Sequence, residues 1–136
     1  MVEVVLGIAA ASVAWFVAAG ALFFNPVVDK IYRTEEEHPA VRALPTGPKT
    51  IGLILGAVLV QCVIWAFVFL LVEPALGDSL ISRGLWFGAI IIAVKVVPRD
   101  IDRWLLTTYP KKRMIIELVN GALLAFSVSF SFAWLL

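Results

Sequence analysis

Four polar side chains interrupt otherwise apolar stretches of this sequence, and they are the residues best placed to do chemistry. Lys95, Glu117, Asn120 and Gln61 each fall within a hydrophobic run long enough to cross a bilayer. An ionisable side chain at the centre of a membrane costs roughly 2.5 to 3.5 kcal/mol on insertion scales. Each of the two charged residues therefore needs a partner or a function.

Lys95 and Glu117 are predicted to lie at matching depth, close to the same membrane face. At helical spacing Lys95 shares a face with two glycines, and Glu117 shares a stripe with Asn120, so both project from faces expected to pack. We expect a buried or half-buried ion pair between them, with Asn120 as a second partner. Such a pair either fixes helix registration or lines a polar cavity. The alternative is that Lys95 snorkels to the headgroups and Glu117 pairs with Arg113.

Two further features involve polar groups. Gln61 sits near the middle of its run, where it is expected to hydrogen-bond a third helix or a neighbouring subunit. A second group of charged residues follows the third apolar run and is a candidate ion or lipid-headgroup site. The competing interpretation is a solvated charge run that compensates itself. This group comprises Arg99, Asp100, Asp102 and Arg103.

Several kinds of chemistry find little support in the sequence. A single Cys62 and a single His38 do not make a zinc ligand set, and the serines of the last apolar run have no membrane histidine to activate them. The 11 basic residues are balanced by 10 acidic ones, which gives no basic patch for nucleic acid. We therefore expect no cofactor, no metal, no nucleic-acid partner and no catalytic residue.

The elements that position these residues are predicted to be four membrane-spanning helices in a single domain, residues 1–136. The composition is 62% hydrophobic and 15% charged, which is typical of a chain whose solvent is lipid. Pro98 is predicted to end the third span, and Asn25 with Pro26 to begin a short amphipathic helix after the first. Glu3 stands where a secretory signal would be basic, so the first span is predicted to be retained. The predicted spans are 4–24, 51–72, 80–97 and 114–136.

The orientation follows from the placement of lysine and arginine. Ten of the eleven lie in, or within three residues of, the first and third connections between spans, and only Arg83 lies at the opposite end. The positive-inside rule then places these two longer connections in the cytoplasm and both termini outside. The predicted fold class is an all-α membrane protein with four transmembrane helices.

Small residues recur at helical spacing in every span and predict close helix packing. Gly52 with Gly56 and Gly84 with Gly88 are the clearest pairs. The opposite side of the fourth span, which includes Phe126 and Phe130, is predicted to face lipid. The alternative use of such glycine faces is a seam between two copies of the chain.

The end of the first span resembles an uncharacterised prokaryotic family, the domain of unknown function 1761. The similarity lies in residues 20–26, Gly-Ala-Leu-Phe-Phe-Asn-Pro, followed by Lys30-Ile31-Tyr32, and in Asn120 near the start of the last span. The resemblance implies a small four-span protein and implies no activity. The charged segment 98–103 and the Tyr109-Pro110 turn depart from the pattern of that family.

The expected function is that of a non-enzymatic bundle in a prokaryotic plasma membrane, either oligomeric or an accessory subunit of a larger membrane complex. Its partners are then the bilayer and other membrane subunits. The alternative is a small oligomeric transporter or channel-like protein with a polar path near Lys95, Glu117 and Asn120. A third class, an enzyme acting on lipid headgroups through Asp100 and Asp102, has the least support.

Overall fold

The computed structural model describes all residues, 1–136, and the chain is helical throughout, with no strand. Six α-helices follow one another, with a 3₁₀ turn after the third and a π-helical segment, Ile92–Val96, between the fourth and fifth. The α-helices are α1 (Val2–Phe23), α2 (Pro26–Thr34), α3 (Pro48–Val72), α4 (Leu80–Ile91), α5 (Val97–Leu106) and α6 (Lys111–Leu135).

Four helical stretches are long and apolar enough to cross a membrane, with mean hydropathies between 1.7 and 2.7. They are Val2–Phe23, Pro48–Ala75, Leu80–Leu106 and Lys111–Leu135. The all-helical fold and the four candidate spans are therefore confirmed. Local capping agrees as well, because the Asn25 side chain accepts a hydrogen bond from the Val28 amide at 3.0 Å, and Pro26 opens α2.

The four long helices form a ring in which α6 packs against α1 and α4, and α1 also packs against α3. The ring closes between α3 and α4 through aromatic side chains. Phe69 of α3 meets Phe87 of α4 edge to face, with ring centroids 4.9 Å apart, and Phe132 of α6 lies 5.9 Å from Phe69. All three rings are fully buried. This cluster fills one end of the bundle and leaves little space there.

Gly84 and Gly88 do pack, and their partners are Phe126 and Phe130 of α6. A Cβ atom added to Gly84 would lie 2.5 Å from the Phe130 ring, and one added to Gly88 would lie 2.4 Å from the Phe126 ring. The prediction that these two phenylalanines face lipid is therefore wrong. Large rings fit between helices here because the facing positions lack side chains.

The glycines of α3 behave differently. Gly52 and Gly56 are exposed, and a Cβ atom added to either would meet no heavy atom within 4 Å. The prediction that this pair packs inside the bundle is wrong, because α3 meets its neighbours through another face, which carries Val58, Cys62, Ala66 and Phe69.

The third span does not end at Pro98 as the sequence predicts, but continues as one helical rod to Leu106. A proline in a regular α-helix clashes with the carbonyl four residues earlier. Here the residues before it adopt wider π-helical turns, in which the Val97 amide bonds to the Ile92 carbonyl. The wider ladder accommodates Pro98. The connection to α6 is consequently short, residues 107–110.

The glycine contacts predict opposite effects of two alanine substitutions. Gly88→Ala forces a methyl group into the Phe126 ring, so we expect a loss of about 1 to 3 kcal/mol of stability. Gly20→Ala, in α1, meets open space and removes a flexible residue from a helix, so it is neutral or stabilising by up to about 1 kcal/mol. Thermal unfolding of the purified variants in one detergent measures both. Equal midpoints for the two variants would contradict the packing.

Candidate functional site

The Glu117 carboxylate of α6 collects hydrogen bonds from three other parts of the chain. Tyr32 of α2 donates its hydroxyl to Oε1 at 3.1 Å, and Tyr109 of the last connection donates to the same oxygen. Arg103 of α5 pairs with Oε2. The Glu117 side chain is 15% exposed, so its oxygens are satisfied mainly by these protein donors and little by water. One carboxylate thereby fastens α2, α5 and the last connection to α6.

Both tyrosines are held in the protonated state that donates to Glu117. Burial raises the pKa of the Tyr32 hydroxyl, and the negative charge of Glu117 and the hydrogen bond to it raise the pKa further. The pKa of the Tyr109 hydroxyl is raised by burial, then by its hydrogen bond to Glu117 and the charge of that carboxylate. Ionising either phenol would place a second anion against Glu117.

A second acidic group lies beside this one. Asp100 is 7% exposed, and its carboxylate accepts two hydrogen bonds from the Arg99 guanidinium, at 3.0 and 3.1 Å. Arg99 also donates to the Glu117 backbone carbonyl at 3.3 Å. Arg103 lies 3.9 Å from Asp100. The interpretation of this segment as a solvated charge run is therefore wrong for Asp100, whereas Asp102 is exposed.

Lys95 does not pair with Glu117, contrary to the sequence prediction. Its ammonium donates to the Gln61 side-chain oxygen on α3 and lies 4.1 Å from the centre of the Trp15 ring on α1. No carboxylate lies within 4.0 Å of the Lys95 ammonium. Gln61 was predicted to hydrogen-bond either a third helix or a neighbouring subunit, and its side chain bonds to another helix of the same chain.

The π-helical segment explains why the prediction failed. A widened turn adds about one residue to the helix, which is worth about 100° of rotation for everything that follows. Lys95 lies inside Ile92–Val96 and turns away from the Gly84 and Gly88 face, toward α3. Arg103, which regular spacing would direct elsewhere, turns onto the face that meets α6 and reaches Glu117.

Two other sequence predictions concern the neighbours of Glu117. Asn120 is 7% exposed, and its amide donates to the Leu22 carbonyl of α1 at 3.5 Å, so it is no partner of Lys95 or Glu117. Arg113 is not paired with Glu117 either, because its guanidinium lies 3.8 Å above the Tyr32 ring.

A cavity of about 220 Å³ lies between the helices, on the side of the bundle away from the phenylalanine cluster. Its polar wall is formed by Lys95, Arg99 and Glu117, and its apolar wall includes Trp15, Phe23 and Trp65. The structure thus brings two predicted intramembrane residues, Lys95 and Glu117, and one predicted headgroup residue, Arg99, to one space. Gln61 touches Lys95 from outside this wall, and Asn120 and Asp102 do not line it.

Sequence reasoning missed four residues of the site. Tyr32 and Tyr109 were assigned to an amphipathic helix and a turn, and their bond to Glu117 spans 85 and 8 positions of the chain respectively. No role was predicted for Trp15 and Trp65, which line the cavity. The one available signal was Glu117 itself, since a carboxylate at that depth needs several donors.

The cavity lining combines a few charged side chains with apolar rings. No group of three or more His, Cys, Asp and Glu side chains converges anywhere in the chain. The cavity instead combines cationic groups, an acid whose oxygens are occupied, and indole and phenyl rings. Such a combination of apolar walls with few polar groups is typical of small-molecule sites.

The contacts of Glu117 predict the effect of neutralising it. Glu117→Gln removes the ion pair with Arg103 and leaves that half-buried cation with only the more distant Asp100, at 3.9 Å, so we expect a loss of about 1 to 3 kcal/mol. The matched control is Asp102→Asn, which removes an exposed acid from α5 and is expected to change stability little. Hydrogen exchange of residues 107–110 should rise in the first variant only. Unchanged hydrogen exchange of residues 107–110 in Glu117→Gln would contradict the role of Glu117 in holding this connection.

The raised pKa values of the two tyrosines predict an alkaline weakness. A phenol whose pKa is raised by folding stabilises the protein below its unfolded value of about 10, and the contribution falls away as pH rises above that value. Unfolding midpoints should therefore drop as the pH rises from about 10 toward about 12, the raised pKa of Tyr109. Tyr32→Phe and Tyr109→Phe should each reduce this drop. The double variant should keep only the drop in midpoint that is caused by deprotonation of the lysines. An equal drop in all four proteins would contradict the assignment.

No protein-family model matches the sequence, and neither a curated protein nor a solved structure is similar to it. The resemblance to the domain of unknown function 1761 therefore stays a prediction.

Proposed function

We propose that this chain is a multi-pass membrane protein that binds a small molecule in the cavity beside Lys95, as part of an oligomeric transporter or a ligand-binding membrane subunit. The transporter in this proposal is the alternative function expected from the sequence. The observation that carries it is a cationic side chain on a cavity wall inside the bundle with no carboxylate partner.

The free energy of a buried charge supports this function. A lysine kept only to register helices is best paired with an acid, because each isolated charge in a membrane is costly. Glu117 lies on the same cavity wall, yet it is committed to Arg103 and two tyrosines. Lys95 is instead held by a neutral amide and an indole ring. These contacts tolerate a cation and leave its charge available to a ligand.

The orientation proposed for this site follows from the basic residues. Ten of the eleven lysines and arginines lie in residues 30–49 and 95–113, which supports a cytoplasmic location for this end of the bundle and an external location for both termini. The cavity would then open toward the cytoplasmic half of a prokaryotic plasma membrane. Membership in the domain of unknown function 1761 belongs to the same proposal.

The outer face of α3 favours a second function, that of a bundle which oligomerises or joins a larger complex. Gly52 and Gly56 leave the backbone of α3 open on that face. Close backbone approach at such positions is what drives membrane helices together. The two functions are compatible, since four spans are few for a transporter acting alone.

The cavity predicts that one substitution blocks ligand binding while its neighbour does not. Leu124 is 7% exposed and lines the cavity, whereas Leu123 is 50% exposed on the outer side of α6. Leu124→Phe should fill the space, and Leu123→Phe should leave it open. We expect calorimetric titration in nanodiscs with benzoate, benzyl alcohol and benzylammonium to show at least one binding to wild type and Leu123→Phe but not to Leu124→Phe. Absence of binding by all three to wild type would refute the proposal.

The open glycines predict where copies would meet. Gly56→Leu should shift native mass spectra from oligomer toward monomer, whereas Gly20→Leu, at the other open glycine site on α1, should not. A monomer in the wild-type spectrum would remove this second function.

A further inference from the structure

We infer that the ligand of this cavity is a small organic anion, a carboxylate or phosphate on a ring-sized apolar body, whose acid group meets Lys95. This inference rests on the proposed function and specifies its ligand. Three independent features of the site support it, namely its charge balance, the free donors of Lys95 and the composition of its walls.

The charges around the cavity do not balance. Arg99 is matched by Asp100 and Arg103 by Glu117, each through direct contacts. Lys95 has no acid within 4.0 Å, and Arg113 has two buried nitrogens, Nε and Nη1, with no hydrogen-bond partner. On the cavity wall, Lys95 is therefore the one positive charge without an acid partner. In surroundings of low dielectric constant such an excess attracts an anion and repels a cation.

Lys95 retains the donors that an anion requires. An ammonium group has three N–H donors, and one of them is used by Gln61. The contact with the Trp15 ring uses the charge and not a specific acceptor. An incoming carboxylate or phosphate oxygen can thus bind Lys95 without breaking either contact. Charge-assisted bonds of this kind are about twice as strong as neutral ones.

Glu117 does not oppose an anion despite lining the same wall. Its Oε1 accepts from two tyrosine hydroxyls and its Oε2 accepts from Arg103, so its charge is compensated and its oxygens face their donors. A cationic ligand would find no free carboxylate here, and it would have to approach Lys95 and Arg99. The site therefore discriminates by the sign of the charge.

The walls and the volume limit the body of the ligand. Trp15, Trp65 and Phe23 offer aromatic surfaces, and Ile91 and Leu124 add aliphatic ones. The volume of about 220 Å³ lies below the range of about 300 to 1,000 Å³ found for drug-sized ligands. A single ring or a short chain fits such a space, whereas the two chains of a phospholipid do not.

The test compares ligands of equal size and different charge. Wild-type protein in nanodiscs of neutral phosphatidylcholine is titrated with benzoate, phenyl phosphate, benzyl alcohol and benzylammonium. We expect the two anions to bind at least about tenfold more tightly than the alcohol, because each gains a charge-assisted bond. Benzylammonium should not bind. This comparison needs no variant, so it holds even if substitutions at Lys95 impair folding.

Substitutions then assign the preference to one residue. Lys95→Gln should reduce benzoate affinity to that of benzyl alcohol, Lys95→Arg should retain most of it, and Lys111→Gln, an exposed lysine at the start of α6, should change nothing. An unchanged benzoate affinity in Lys95→Gln would overturn the inference.

The outcomes separate the inference from the function on which it rests. Binding of benzyl alcohol or benzylammonium as tight as that of benzoate would overturn the anion and leave the cavity function standing. Binding of none of the four would end both. Loss of benzoate binding in nanodiscs that contain phosphatidylglycerol would overturn the soluble ligand and assign the anion to a lipid headgroup.

Discussion

The carboxylate of Glu117 is the interaction on which this end of the molecule depends. This one carboxylate is satisfied by donors from α2, α5 and the last connection. Without it Arg103 would be a half-buried cation lacking its closest partner, and two phenols would lose their acceptor. Because the oxygens of Glu117 are occupied by these three donors, Glu117 is not available to Lys95. Lys95 is therefore the one cation of the cavity wall without an acid partner. The properties of the cavity follow from that commitment.

The two ends of the bundle are stabilised by different means. Around Phe69, Phe87 and Phe132 the helices meet through close-packed rings, and Ser129 bonds directly to the Gly84 carbonyl. Around Glu117 they are joined by charge-assisted hydrogen bonds, with a cavity beside them. Packing of the first kind tolerates little change in volume. The second kind tolerates space but not the loss of a donor or an acceptor, and the cavity beside Lys95 lies at that end.

Sequence reasoning found the elements because they depend on local chemistry. Asn25 and Ser79 cap their helices as their side chains allow, and the four apolar stretches are long enough to be recognised by length alone. It flagged Lys95, Glu117 and Gln61 because polar groups are costly in lipid. It could not assign their partners. The Tyr32 contact joins residues 85 positions apart, and hydrophobicity cannot distinguish a phenylalanine that faces lipid from one that covers a glycine.

The π-helical turns before Pro98 give this chain an unusual sensitivity to changes in length. One residue removed within Ile92–Val96 would restore regular α-helical turns and leave later residues on their present faces, but it would take away the wider turns that accommodate Pro98. One residue added would instead rotate everything beyond it by about 100° about the helix axis. Arg99 and Arg103 would then leave the face that meets α6, although neither residue had been altered. In this segment a point substitution is a local event, whereas a one-residue insertion exchanges the partners of a whole helix. The effect of a mutation in this segment therefore depends more on the number of residues than on their type.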